Sequence, residues 1–352
     1  MTTPNIFDFA TSELSQDAVL AYMLKWASPD YAETHRPQHD LGEDFLRTLL
    51  KETGGKVPDK FTEVDVQTQQ NRVDVSVEVN GKTFLILEDK TNTDRHSNQI
   101  KTYVAAAKER GKAENAGWKD DVRPIYIKTG NESKHTREVT EGICKDLGGG
   151  HFYRNDLLKL LGKHTDTGDQ IVDQFHHYLE DWQQKAESFR STPVNEQWDW
   201  FAYEGYYAAL ENEEGFGGDG WGYVSNPSGG FQCFYGHFHE DKKNDCSLYL
   251  QIHDARDLFI RITKDGKEKV QKELRRHMTD KVEKCLSEFP GVRIERIAGR
   301  AGSSSNIAEI FFDEEKDESD TYKAKDAEGK IDFPATVERL KTTVQLIKAA
   351  CK

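Results

Sequence analysis

The chain has 352 residues, of which 36% are hydrophobic and 31% charged, and it carries a net charge of −14. That length suits two domains with separate cores, and no stretch approaches the roughly 18 apolar residues of a membrane span. Five cysteines (Cys144, Cys233, Cys246, Cys285, Cys351) without any CxxC spacing argue against a zinc ribbon and a disulfide framework. The N-terminus has neither the basic segment nor the apolar stretch of a secretion signal, so a cytoplasmic location is the expectation. Net acidity argues against nucleic acid, whose phosphates are met by lysine and arginine. The charge is uneven, however. Basic residues slightly outnumber acidic ones between residues 82 and 138, and acidity gathers at Asp313-Glu314-Glu315-Lys316-Asp317-Glu318-Ser319-Asp320. The overall sign therefore does not choose the partner.

In chain order, Thr11 or Ser12 can cap a helix through Leu14, Leu20, Leu24 and Trp26. A loop over residues 28–39 leads to a helix with Phe45, Leu46, Leu49 and Leu50 at helical spacing. Residues 61–67 read as a strand, and residues 73–88 as a hairpin around Asn80-Gly81. Thr93 or Asp94 then caps a helix carrying Gln99, Ile100, Tyr103 and Val104. A strand at residues 122–127 and helices at 138–147 and 154–161 complete a first domain, residues 1–165. A helical connector, residues 166–192, ends at Ser191-Thr192-Pro193, and residues 193–352 read as a smaller α+β domain. That part holds an aromatic helix around residues 198–207, strands near 231–238, 246–253, 258–263, 292–297 and 307–312, and helices near 268–289 and 334–350.

The hairpin carries the chemistry. Asn71-Arg72-Val73-Asp74 enters it and Leu87-Glu88-Asp89-Lys90 leaves it, so each apolar strand bears a carboxylate far from the turn. A buried strand tolerates a carboxylate only when something compensates it, and two with a nearby lysine suggest a divalent-metal site. Side chains alternate along a strand, so Glu88 and Lys90 share a face and Asp89 takes the other. A two-residue loop would place Asp74 on the face opposite Glu88; a three-residue loop or a bulge would set them directly opposite each other. A shared metal needs the second arrangement. Gln99 and Tyr103, four apart, project on one side of the next helix, and Glu13, Gln16 and Asp17 form a polar tip on the first.

The order helix, three strands, helix, strand, with Asp74, Glu88-x-Lys90 and Gln99-Ile100-x-x-Tyr103, resembles the PD-(D/E)XK nuclease superfamily over about residues 1–165. The glutamine-tyrosine helix is similar to that of its RecB-like branch, and the segment 13–24 resembles the first helix of an uncharacterised prokaryotic branch. Val73 stands where the family name has proline. The resemblance implies an α/β, restriction-endonuclease-like αβββαβ core with a mixed sheet. It implies Mg²⁺ or Mn²⁺ held by Asp74, Glu88 and the Asp89 backbone carbonyl, with Glu13 as an outer or direct ligand. Hard cations favour such oxygen donors. Lys90 is implied to position the attacking water, Gln99 to orient Lys90 or a substrate phosphate, and Tyr103 to support it. The implied activity is Mg²⁺-dependent hydrolysis of DNA, favoured over RNA, in defence against foreign DNA. The C-terminal domain would serve substrate or partner recognition or a homo-oligomer. The competing expectation is a catalytically silent nuclease fold that binds nucleic acid or a protein.

Other features have plainer readings. His237, His239 and His253 are read first as ordinary strand histidines and second as transition-metal ligands. The aromatic helix is read as core before base-stacking platform. Arg275-Arg276 with nearby lysines is a solvated helix face, and Asp17 complements a helix dipole.

Overall fold

A computed structural model describes residues 4–91, 98–226, 229–264, 269–298, 302–312 and 322–352. The chain divides into two compact units, residues 1–131 with 137–183, and residues 132–136 with 184–352.

In the first unit, α1 (Glu13–Lys25) and α2 (Arg36–Glu52) precede three antiparallel strands, β1 (Val64–Gln70), β2 (Val73–Val79) and β3 (Thr83–Lys90). Then follow α3 (Gln99–Ala113), β4 (Val122–Lys128), α4 (Lys134–Asp146), β5 (Gly150–Tyr153), α5 (Arg154–Leu161) and α6 (Gln170–Glu187). The sheet order is β1-β2-β3-β4-β5, with β3, β4 and β5 parallel. The mixed α/β sheet expected from the sequence is thus present.

Period-two alternation in β2 and β3 builds both faces. Val75, Val77, Val79, Leu85 and Leu87, with Ile125 and Ile127 of β4, bury against Leu20 and Leu24 of α1 and Phe45 and Leu49 of α2. Phe84, Ile86 and Val122 meet Val104 and Ala107 of α3 and Trp118 on the other side. Every residue of β3 is buried as a result, the usual state of a central strand with both faces of its sheet covered. Helices α1 and α2 approach so closely that a Cβ on Gly42 would lie 2.7 Å from the Met23 carbonyl oxygen.

Several boundaries differ from the sequence reading. Ser12 stands at the N-cap of α1 without a capping bond, its hydroxyl 3.0 Å from that of Ser15. Helix α2 begins earlier, with Pro37 in its first turn, where a missing N–H costs nothing. Strand β1 starts at Val64, and α4 at Lys134. The unforeseen β5 is only four residues long, too short to display a period, and a side chain at Gly150 would strike the Glu52 carbonyl. The expected caps Thr93 and Asp94 lie outside the described residues.

The second unit is only slightly shorter. Its antiparallel sheet runs β10 (Val292–Arg296), β11 (Ser304–Phe312), β9 (Asp257–Thr263), β8 (Cys246–His253), β7 (Phe231–Asp241), β6 (Gly220–Val224). Helices α7 (Trp200–Asn212), α8 (Lys272–Cys285) and α9 (Phe333–Ala350) accompany it. The aromatic helix is core: Tyr206, Tyr207 and Leu210 are fully buried among Phe234, Ile252 and Leu340. The acidic run 313–320 lies outside the described residues.

Candidate active site

The β2–β3 turn decides which side chains meet. Lys82 N donates to the Val79 carbonyl at 3.0 Å, and Asn80 and Gly81 have φ of 54° and 64°. This is a left-handed pair of the kind that Asn-Gly supplies. Asn80 also clasps the preceding segment, its Oδ1 accepting from Thr62 N at 2.7 Å and Glu63 N at 3.1 Å, its Nδ2 donating to the Lys60 carbonyl at 3.0 Å. Pairing resumes at Val79 with Thr83, so the loop has three residues, and the register runs through Val75 opposite Leu87. Continued by one residue, it sets Asp74 opposite Glu88, and Asp74 Oδ2 accepts the Asp89 amide at 3.1 Å.

Lys90 Nζ stands among the oxygens that this register collects. It lies 2.7 Å from Glu88 Oε1, 3.7 Å from Asp74 Oδ2 and 3.7 Å from Glu13 Oε2. It donates to the Asp89 carbonyl at 2.8 Å. Glu13, at the first turn of α1, is fixed by the Thr91 amide, which donates to its Oε1 at 3.2 Å. One strand end, one neighbouring strand and one helix start therefore converge.

Burial governs the electrostatics. Glu88 is 1% exposed, and burial, then the charge of Asp74, pushes its carboxyl up to about 7 against the pull of Lys90. Burial alone would lower Lys90, but contact with Glu88 and the charges of Glu88, Asp74 and Glu13 raise it above the ordinary lysine value. It remains an ammonium.

The donor set suits a hard divalent cation. Both Glu88 oxygens are buried without a strict hydrogen-bond partner among the described residues, and Oε1 is compensated by the ion contact with Lys90 at 2.7 Å. Such acceptors, with Asp74, the Asp89 carbonyl and Glu13, offer only oxygen. Among the described residues, no group of three His, Cys, Asp or Glu is already drawn together tightly enough to hold a metal. The ammonium occupies the middle of the set.

A polar layer beneath β3 was only partly visible in the sequence. Gln16 Nε2 donates to Asp89 Oδ1 at 2.6 Å, and Thr129 Oγ1 donates to Gln16 Oε1 at 2.8 Å. Asp17, 3% exposed, accepts from Gln69 Nε2 at 2.9 Å and interacts with the Asp89 carboxyl. Burial and the charge of Asp74 push Asp17 up to about 7, and burial and Asp17 raise Asp89 well above the carboxylate range. The helix-dipole reading of Asp17 is thus replaced: it sits one turn inside α1, facing the strand. The alternation that sends Asp89 to the opposite face from Glu88 was the available signal.

The glutamine-tyrosine pair also forms, with Gln99 Nε2 donating to Tyr103 Oη at 3.0 Å. Gln99 Oε1 is buried and makes no hydrogen bond among the described residues. The structure joins Gln99 to Tyr103 and gives no hydrogen bond from Gln99 to Lys90. Lys128, which sequence reading treated only as part of a basic region, pairs in register with Lys90 and is 2% exposed. Only the parallel β3–β4 register reveals that adjacency.

Of the strand histidines His237, His239 and His253, the first and the last have surroundings of their own. His237, at φ 61° in a bulge of β7, has Nε2 3.1 Å from the Gly217 carbonyl. His253 packs between Phe231 and Phe259, at 4.1 and 4.6 Å. A cavity of about 640 Å³ in this unit, lined by Trp198, Tyr203, Asp254 and Glu309, holds none of the candidate catalytic residues. Chemistry, rather than size, singles out the candidate site.

Residues 4–142 match the family model of the PD-(D/E)XK nuclease superfamily, a span that contains Glu13, Asp74, Glu88, Lys90, Gln99 and Tyr103. No curated protein and no solved structure matches the chain. The five-stranded mixed sheet fits the restriction-endonuclease-like fold of that superfamily, whose members generally use divalent metals.

Proposed function

We propose, from the superfamily match of residues 4–142, that the first unit is a metal-dependent nuclease that hydrolyses phosphodiester bonds of DNA. The observation that carries this reading is the register-enforced meeting of Asp74, Glu88, the Asp89 carbonyl and Glu13 around Lys90. Mg²⁺ or Mn²⁺ held by these oxygens would lower the pKa of a bound water and neutralise charge on the scissile phosphate. The chain's own part is positional. Asp74 and Glu88 present their oxygens on one face, and the Thr91 amide holds Glu13 beside them. Lys90 keeps a full positive charge at the place where a phosphate's negative charge grows. Gln99 and Tyr103 brace each other on α3. A role in defence against foreign DNA, and substrate or partner recognition by the second unit, extend this reading.

One observation favours a catalytically silent alternative, a nuclease fold that only binds nucleic acid or a protein. Glu88 is 1% exposed, and the ammonium of Lys90 stands where a cation and phosphate would enter. Incubation with linear, circular and single-stranded DNA and with RNA, with and without Mg²⁺ or Mn²⁺, separates the two. Metal-dependent cleavage abolished by Glu88→Gln supports the nuclease. Cleavage indifferent to Glu88→Gln and Lys90→Ala removes the assigned site, and no cleavage of any substrate favours the silent reading.

A further inference from the structure

Beside the catalytic strand lies a cavity of about 170 Å³ between β2 and α3. Pockets for whole drug-sized ligands run to roughly 300–1,000 Å³, so this one has room for a single ring system. Val73, next to Asp74, and Tyr103, bonded by Gln99, both line it, so it adjoins the candidate active site through two residues of that site's own elements. Phe84 and Ala107 give it apolar surface, and Gln70 and Asn71 bring side-chain amides, which can both donate and accept.

Two further observations point to an occupant. The guanidinium of Arg110 rests 4.9 Å from the Phe84 ring, and its Nε is buried with no hydrogen-bond partner among the described residues. That is a donor awaiting an acceptor. The β1–β2 turn that brings Gln70 and Asn71 to the rim is conformationally costly. Gln69, Asn71 and Arg72 have φ of 54°, 54° and 68°, a region that side-chain-bearing residues seldom enter and that tends to mark functional sites.

We propose that this cavity is a subsite for one unpaired nucleobase of the strand being cut, beside the scissile phosphate. The inference rests on the nuclease reading and names its substrate class: single-stranded nucleic acid or an opened end. A ring stacks on Tyr103, its edge meets Arg110, Gln70 and Asn71, and an intact base pair is too large to enter. A base is favoured over a phosphate by what lies beyond. Past Ser76, Phe84 and Arg110, which line both, the surface continues into a second cavity where Asp65, Glu78 and Glu114 outnumber that one cation, so its charge repels phosphate but not a neutral ring.

The test uses the full chain and labelled single-stranded DNA oligonucleotides in which one abasic site is walked along the sequence. KM and kcat are measured with Mg²⁺ or Mn²⁺ for the wild type, for Ala106→Trp and for Ala105→Trp. Ala106 is an exposed residue on the cavity wall, so tryptophan there fills the space from outside; Ala105 is exposed and does not line it. In the wild type and Ala105→Trp, one abasic position flanking the cut raises KM about tenfold, the scale of one lost base–aromatic stack. Ala106→Trp raises KM similarly on the intact strand and no longer distinguishes the abasic one. Arg110→Met, which keeps the stem and removes the donors, gives the same loss of discrimination if the tryptophan variant misfolds. A flat abasic walk in a protein that cuts, or discrimination that survives both variants, overturns the subsite alone. Failure to cut any nucleic acid overturns the nuclease reading and the subsite with it.

Discussion

Lys90 Nζ lies 2.7 Å from Glu88 Oε1, and this contact is the principal compensation for a carboxylate that is 1% exposed. Cation and carboxylate thus hold each other in the place where the proposed nuclease function would need a divalent ion and a phosphate to meet. Removing either partner has different consequences. Glu88→Gln removes a buried carboxylate of the cluster around Lys90, so both divalent-ion binding and cleavage are expected to fall. Lys90→Ala leaves the oxygens intact and withdraws a competing charge. Its cleavage rate drops by about 10²–10⁴-fold, the span of a lost proton-transfer or charge-positioning group, while divalent binding is kept or strengthened. Calorimetric titration with Mn²⁺ alongside cleavage assays checks this. Loss of Mn²⁺ binding in Lys90→Ala would contradict it.

Stability of the metal-free protein depends on pH in a stated direction. Glu88 and Asp17 are each pushed up to about 7, chiefly by burial and then by Asp74, from unfolded values near about 4. Between those limits the folded chain holds protons that the unfolded chain has released, so stability falls as pH rises from about 4 to 7 and then levels off. Lys90 stays charged across that window and adds no slope. The thermal midpoint in chelator is expected to drop from pH 5 to pH 8, with a shallower drop in Glu88→Gln. A midpoint that climbs over the same range would refute the assignment.

Asp17 and Asp89 confront each other beneath β3 at 3% and 1% exposure. Asp17→Asn removes the charge that Asp17 carries beside the Asp89 carboxyl and supplies an N–H toward Asp89 while keeping an acceptor for Gln69. At pH 8 it is expected to stabilise the fold by about 1 kcal/mol, the typical net value of a hydrogen bond, with a smaller effect at pH 5. Denaturant midpoints at the two pH values measure it, and destabilisation at pH 8 would show that the pair is not strained by charge.

Gln16 connects α1, β3 and the residue following β4 through its bonds to Asp89 and Thr129. Gln16→Ala leaves the buried Asp89 oxygen and the Thr129 hydroxyl, which is 0% exposed, without these partners, costing about 1–3 kcal/mol. Because Glu13 lies one turn earlier on the same helix, its hold on the strand end also loosens. Chemical unfolding should show the loss, and cleavage should weaken together with Mn²⁺ affinity. An unchanged unfolding midpoint would remove Gln16 from the supporting layer.

Local patterning made much of the first unit legible. Alternating valines marked β2, helical spacing of Phe45, Leu46, Leu49 and Leu50 marked α2, and Asn80-Gly81 marked the turn between β2 and β3. These signals act over a few residues, so sequence alone carries them. β5 stayed hidden because four residues of Gly-His-Phe-Tyr have no period of their own and become a strand only by pairing with β4.

The sequence by itself determined that Glu88 and Lys90 share a face, since a strand's alternation is intrinsic to its backbone. It also determined that Gln99 and Tyr103 could touch, being four apart on a helix. It left open whether Asp74 would join them. The tertiary structure decided that: the Asn80 clasp and the three-residue loop set a register that no count of residues along one strand contains. The same holds for Gln16, Asp17 and Lys128, whose neighbours are distant in sequence. Their roles exist only because α1, β3 and β4 pack together, where burial turns short-range contacts between charges into the dominant interactions.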